Sequence, residues 1–189
     1  APGEVRIADL PCPEPAAGEV RVRLEGCGVC ASNLTPWAGP EWMTYPTAPG
    51  DLGHEGWGRI EAVGPDVMGF AEGDRVAALG TRAYAEADVM AADKVVKLPA
   101  ALDGIPFPGE ALGCAFNIFR RSAIEPGQDV AIIGVGFLGA VLTRLASAAG
   151  APLDSAKIVS ADVITKLFFV VLVQARHGRL GTTFDQLLE

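Results

Sequence analysis

Pro49-Gly50-Asp51-Leu52-Gly53-His54-Glu55-Gly56-Trp57-Gly58 holds one of the chain's two histidines, set beside a carboxylate and among four glycines. Neutral imidazole is a common zinc ligand, and an adjacent glutamate can orient such a site or join it. Glycines on both sides let the backbone turn sharply and approach other groups without a Cβ in the way. Upstream stands Gly26-Cys27-Gly28-Val29-Cys30-Ala31-Ser32-Asn33, and downstream Gly109-Glu110-Ala111-Leu112-Gly113-Cys114-Ala115. Cys30, His54 and Cys114 make a Cys-His-Cys set. Three protein ligands with the fourth place left to water or Glu55 is the pattern of a catalytic zinc, whereas structural zinc is closed by four. Plainer readings stand beside this one. A His-Glu pair is often just solvated, Cys27-x-x-Cys30 reads equally as half a zinc knuckle or a redox pair, and Cys114 alone is an inert helix thiol.

Composition narrows the class. In 189 residues, half are hydrophobic and a fifth charged, which marks a globular chain rather than a disordered one. A net charge of −8 argues against nucleic acid and anionic membrane surfaces, which both select basic patches. The longest apolar run, residues 167–173, is far short of the ~20 residues of a membrane span. The four cysteines do not make a disulfide framework at this length, and no leader precedes the first expected strand, so a reducing cytoplasm is expected.

Along the chain, residues 4–24 read as two strands split by Pro11-Cys12-Pro13-Glu14-Pro15. The second is clear, since Val20, Val22 and Leu24 alternate with Glu19, Arg21, Arg23 and Glu25. Residues 36–50, with four prolines and with Trp37 and Trp42, read as an irregular loop and a candidate pocket wall. After the His-Glu turn, Ile60, Ala62 and Val63 begin a strand that Gly64-Pro65-Asp66 stops; further strands are expected at residues 76–79, 84–90 and 95–98. Short strands with frequent turns imply a small antiparallel barrel. A helix is expected from about residue 110 to 123, then a buried strand at 129–133, the turn Gly134-Val135-Gly136-Phe137-Leu138-Gly139 and an alanine-rich helix at 140–149. Gly134, Gly136 and Gly139 between strand and helix would let backbone amides meet a pyrophosphate.

Four motifs, Gly28-Val29-Cys30-Ala31-Ser32-Asn33, Gly53-His54-Glu55-Gly56, Gly73-Asp74-Arg75-Val76 and Gly134–Gly139, fall in the order and rough spacing of the zinc-containing medium-chain alcohol dehydrogenase family. The chain resembles that family over most of residues 3–151. The resemblance implies a GroES-like antiparallel barrel followed by an incomplete Rossmann-type βα unit, an α/β chain with a large β part. The boundaries are 1–108 for the GroES-like catalytic domain, 109–154 for a partial nucleotide-binding domain and 155–189 for a C-terminal tail. It further implies Cys30, His54 and Cys114 as zinc ligands, Cys27 as a bystander, and Ser32 as the hydroxyl that passes the substrate proton outward. Asn33 stands where aspartate is more usual, and Thr35 where some relatives carry a relay histidine. A lobe of four closely spaced cysteines has only Gly80-Thr81-Arg82-Ala83 in its place, so no structural zinc is expected.

The implied activity is hydride transfer between an alcohol or carbonyl substrate and NAD or NADP, with zinc polarising the substrate oxygen. The partners are small molecules, with a homo-oligomer possible. The acid that would hold the adenosine ribose, expected roughly 20 positions after the glycine turn, is not cleanly present: Asp154 comes early and Asp162 comes late. Residues 152–189 are too few for the rest of a Rossmann sheet. They read either as a second strand at 157–162 or as the family's C-terminal segment at 156–168. The expectation for these 189 residues by themselves is no turnover, which leaves a second reading: a zinc-binding remnant without dehydrogenase activity.

Overall fold

In a computed structural model, the structure describes residues 1–132, 134 and 136–151 and the backbone of 172–174. The chain divides into two compact units, Ala1–Ala111 and Leu112–Glu189.

The first unit is wound around β1, Glu19–Gly28. Its alternation is real: Val20 and Val22 are fully buried, while Arg23 and Glu25 are exposed. β1 lies between β2 (Glu55–Val63) and β4 (Ala87–Ala91), and β2 continues through β3 (Arg75–Ala78) to β5 (Val95–Lys97). All four pairings are antiparallel, in the order β4-β1-β2-β3-β5. The outer strands β4 and β5 are consecutive in the chain, joined only by a 3-10 turn at Ala92–Lys94. That link from Ala91 to Val95 reaches at most about 14 Å, whereas the outer strands of a flat sheet of this width would lie about 19 Å apart. The sheet is therefore curled into a barrel. Val20, Val22, Ile60, Val76, Ala78, Met90 and Val95 fill it, with Phe70 and Val67 packed alongside.

Arg75 ties the barrel to the segment after β5. It is 5% exposed and donates to Glu25 Oε2 at 2.7 Å, to the Ile105 carbonyl at 2.7 Å and to the Leu102 carbonyl. A buried guanidinium needs this many acceptors to offset its lost hydration.

Two expectations change. The strand expected before Pro11 does not form: Val5, Ile7 and Leu10 are 80%, 99% and 60% exposed, and none belongs to a sheet. Alternation alone does not make a strand where no neighbour accepts its hydrogen bonds. In addition, β2 begins at Glu55 rather than near Ile60, so the glutamate is the first residue of a strand and the turn lies before it. The loop over residues 36–50 is irregular as expected, apart from a short helix α1, Leu34–Ala38, at its entry.

In the second unit, α2 (Gly109–Ser122, straddling the boundary) leads to β6 (Val130–Ile132) and α3 (Phe137–Ala148). Val130, Ile132, Leu142, Ala146 and Ala151 form its core with Ile118, Phe119, Ile124 and Leu138. Strand, glycine turn and helix follow in the expected order. β6 pairs antiparallel with β7, Leu172–Gln174. Asp154, Asp162 and both readings of the tail, at 157–162 and 156–168, lie outside the described residues.

Candidate metal centre

The β1–β2 register builds the site. Gly28, the last residue of β1, pairs with Glu55, the first of β2, and Cys27 pairs with Gly56. Residues just beyond β1 and just before β2 consequently share one rim of the barrel. Cys30 caps the 3-10 turn Ala31–Asn33 there, and His54 precedes Glu55. One donor atom from each of Cys30, His54 and Glu55 lies within 4.8 Å of the others, the one such cluster of three among the described residues. Cys30 and His54 are half-buried, and Glu55 is 8% exposed.

Gly28 is what admits the carboxylate. A Cβ built there would stand 2.0 Å from Glu55 Oε2, so Glu55 lies against bare backbone. A thiolate, an imidazole and a carboxylate at this spacing suit a borderline-soft divalent ion, and zinc takes each of these ligands. The donor set fits zinc.

Around the trio the chain supplies orientation. His54 Nδ1 lies 2.9 Å from the Leu52 carbonyl. Because a carbonyl only accepts, Nδ1 carries a hydrogen and donates it, and Nε2 is the ring nitrogen not used in this bond. Asn33 Nδ2 donates to the same carbonyl at 2.9 Å and to Tyr84 Oη at 3.2 Å, and Tyr84 Oη reaches the Gly28 carbonyl at 3.4 Å. Backbone bonds from Ala83 N to Gly53 O and from Tyr84 N to Gly50 O clip the glycine loop to the segment before β4.

Burial raises the Tyr84 phenol above its usual range, and the negative charge of Cys27, Glu55 and Cys30 adds to the shift. Burial likewise raises the Cys27 thiol, opposed by backbone N–H groups of Glu55 and His54. A raised thiol is slower to become a thiolate, and Cys27 Sγ donates to the Gly28 carbonyl at 3.2 Å.

The expected site residues distribute as follows. Cys30, His54 and Glu55 come together. Ser32 is exposed on the same turn as Cys30, its hydroxyl 3.5 Å from Asn33 Oδ1. Cys114 lies on α2 in the second unit and is exposed. Gly136 caps α3, Gly134 sits in the turn with φ +85°, and Gly139 is buried in the first turn of the helix. Trp37 and Trp42 are 51% and 75% exposed. Sequence reasoning missed Tyr84, which read as one more strand residue. Its signal was available only through Gly53: a Cβ there would stand 2.3 Å from Tyr84 N.

Residues 16–100 match the alcohol dehydrogenase GroES-like domain. An alcohol dehydrogenase of Geobacillus stearothermophilus is 33% identical over 180 residues, covering 77% of this chain and 52% of that protein. Galactitol-1-phosphate dehydrogenase from Escherichia coli superposes with a TM-score of 0.69 at 27% identity, over 85% of this chain and 54% of that one. A structure from Sinorhizobium meliloti 1021, described as a zinc-binding dehydrogenase bound to NADP, gives 0.67 at 25% identity, over 80% and 52%. The chain spans about half the length of the curated relatives it matches.

Proposed function

Since the chain belongs to the zinc-containing medium-chain alcohol dehydrogenase and reductase family, we propose that it is the catalytic part of an oxidoreductase. The reaction is hydride transfer between a small alcohol or carbonyl compound and NAD or NADP. The observation that carries this reading is the convergence of Cys30, His54 and Glu55 within 4.8 Å at one rim of the barrel.

Cys30 and His54 would hold the zinc, with Glu55 or water in the fourth place and Cys114 as the further thiolate assigned from the sequence. Zinc bound there would supply Lewis acidity towards a substrate oxygen. The remaining work falls to the chain's own groups. Ser32, exposed beside Cys30, accepts the substrate's hydroxyl proton and passes it to solvent, since a hydroxyl donates and accepts at once. Gly134, Gly136 and Gly139 shape the turn whose amides would receive the cofactor's pyrophosphate. We place the protein in the cytoplasm. Among the described residues no helix is long and apolar enough to cross a membrane, and Cys12, Cys27 and Cys30 are not in disulfides.

Zinc content after purification without chelator tests the metal. About one zinc per chain is expected, with loss in Cys30→Ser and His54→Gln, and Cys114→Ser decides the third ligand. With a cofactor-competent form of the protein, Ser32→Ala should slow alcohol oxidation by roughly 10²-fold at unchanged zinc content. Zinc retained without any nicotinamide-dependent turnover would favour the remnant reading.

A further inference from the structure

Asp88 breaks the rule that its strand otherwise obeys. It stands with Met90 on one face of β4, and the two pair across to Val22 and Val20, both fully buried. A core-facing place in a strand is ordinarily filled by a β-branched or aromatic residue, and aspartate is among those least suited to it. The carboxylate is buried, yet it is thinly supported. Its Oδ2 accepts from Arg82 N at a long 3.4 Å, the Val89 N–H also favours its charge, and it forms no ion pair among the described residues. A charge held in this way costs the fold stability.

Gly80 is the other half of the arrangement. A Cβ there would stand 2.4 Å from Asp88 Oδ2 and 3.0 Å from Met90 Cε. Its φ is not left-handed, so the glycine provides space rather than backbone freedom. The space is a cavity of about 250 Å³, with Leu79, Val89 and Met90 as its apolar wall and Thr81, Arg82 and Asp88 as its polar groups. None of these residues belongs to the candidate metal centre. The two charges that line the cavity are opposite in sign and do not meet. Arg82 acts on Asp88 through space, and its guanidinium, on the exposed side, makes only a long ion pair, 3.9 Å from Nε to Asp51 Oδ1.

We propose that this cavity binds a small zwitterion, an α-amino acid with a short apolar side chain. Its ammonium sits on the Asp88 carboxylate, its carboxylate on the Arg82 guanidinium, and its side chain against Leu79 and Met90. An ammonium brings several donors to a carboxylate that has few, and a guanidinium takes a carboxylate through two parallel N–H bonds. The same pair of charges rejects simpler ligands. An alkylamine would answer Asp88 but set a second cation beside Arg82, and a plain carboxylate would answer Arg82 but set a second anion beside Asp88. Only a ligand with both charges satisfies both residues. The volume, just below the range of roughly 300–1,000 Å³ that holds drug-sized ligands, suits a molecule of this size. The site stands apart from the metal-binding reading and from the reaction.

The experiment is a titration of the full chain, carbon-13 labelled at its methionine methyls and followed by nuclear magnetic resonance. There are three methionines, and the spectrum of Met90→Leu identifies the Met90 signal. The probes are L-alanine, ethylamine, which is alanine without its carboxylate, and propionate, which is alanine without its amine. L-Alanine is expected to shift the Met90 methyl saturably, leave Met43 and Met68 unmoved, and bind at least about tenfold tighter than either fragment, the gain from one added charged contact. Asp88→Asn and Arg82→Gln, each confirmed folded by circular dichroism, should each weaken L-alanine about tenfold, and Gly80→Ala should abolish the Met90 response. Because amino acids also coordinate metals, Cys30→Ser is titrated alongside and should bind L-alanine as the wild type does. A Met90 signal that never saturates overturns the proposal, as does ethylamine or propionate binding as tightly as L-alanine. Wild-type affinity in both Asp88→Asn and Arg82→Gln overturns it too, and so does a response lost in Cys30→Ser, which would move the ligand to the metal centre.

Discussion

The chain has two glycine-rich turns, and they are glycine-rich for opposite reasons. In the first, Gly53 in the turn before Glu55 and Gly56 and Gly58 at the start of β2 are all buried, and a Cβ on each would strike the protein itself: 2.3 Å from Tyr84 N, 2.9 Å from Ala83 Cβ and 2.0 Å from the Arg23 carbonyl. In the second, Gly139 is equally closed, 1.9 Å from the Gly134 carbonyl, but Gly134 and Gly136 have nothing among the described residues within 4 Å of where a side chain would be. The first turn is tight because the barrel packs against it. Among the described residues the second is bare on its outer side, which is what the pyrophosphate contact proposed above would need. The first turn sets side chains in place; on the reading proposed above, the second offers its amides.

The contrast breaks most visibly at Gly58. Gly58→Ala drives a methyl into β1 opposite Leu24, in the pairing that also sets the metal rim, and should cost about 3 kcal/mol in urea unfolding. A fully stable variant would show that β1 and β2 separate easily. Gly139→Ala should cost about 2 kcal/mol, read as a lower midpoint in helical circular dichroism. Gly136→Ala sharpens the comparison from the other side. Its φ of −81° suits alanine and no described residue crowds it, so stability should change by less than about 0.5 kcal/mol. Dinucleotide affinity, measured by calorimetry in a cofactor-competent form, should nevertheless fall about tenfold, or about 1.4 kcal/mol.

The smallest effect concerns a carboxylate closed over in the same inward manner. Gly80 leaves room for Asp88, whose Oδ2 would lie 2.4 Å from a Cβ at residue 80, and Asp88 is only 6% exposed. Burial raises its carboxyl above the usual range, with N–H groups of Arg82 and Val89 opposing. The folded chain then binds more protons than the unfolded one. Stability from this group is greatest below the unfolded carboxyl pKa and is lost as pH rises through the folded one. Asp88→Asn should therefore gain about 1 kcal/mol near neutral pH and flatten the slope of urea midpoints on the acid side. An unchanged slope would mean the carboxylate is solvated after all.

What could be read in advance follows the same division. The β1 alternation, the helical spacing of α2 and the strand–turn–helix order of the second unit are periodic, and periodicity survives in sequence. Cys30, His54 and Glu55 were legible because motif spacing places them at the ends of two paired strands. Tyr84 was not, because its role comes from a phenol and two backbone bonds that fold onto residues 50–53 from a distant segment. Nor was the failure of the strand at Val5 and Ile7, since a strand is a property of a pair. Asn33 was noticed only as a departure from aspartate; its meaning lay in a carbonyl on another loop.

The way the barrel is wound also sets an order in time. Val20 meets Met90 across the β1–β4 pairing, so β1 acquires that neighbour only after residue 90 has been made. At roughly 5–20 residues per second, a nascent chain carries the β1–β2 hairpin for a few seconds before β4 exists. Cys30, His54 and Glu55 all belong to the part made first, while the Ala83 and Tyr84 amides that clip the glycine loop arrive later. Cys30, His54 and Glu55 are thus made before their brace, so that on the metal-binding reading proposed above a metal would meet them before the glycine loop is clipped.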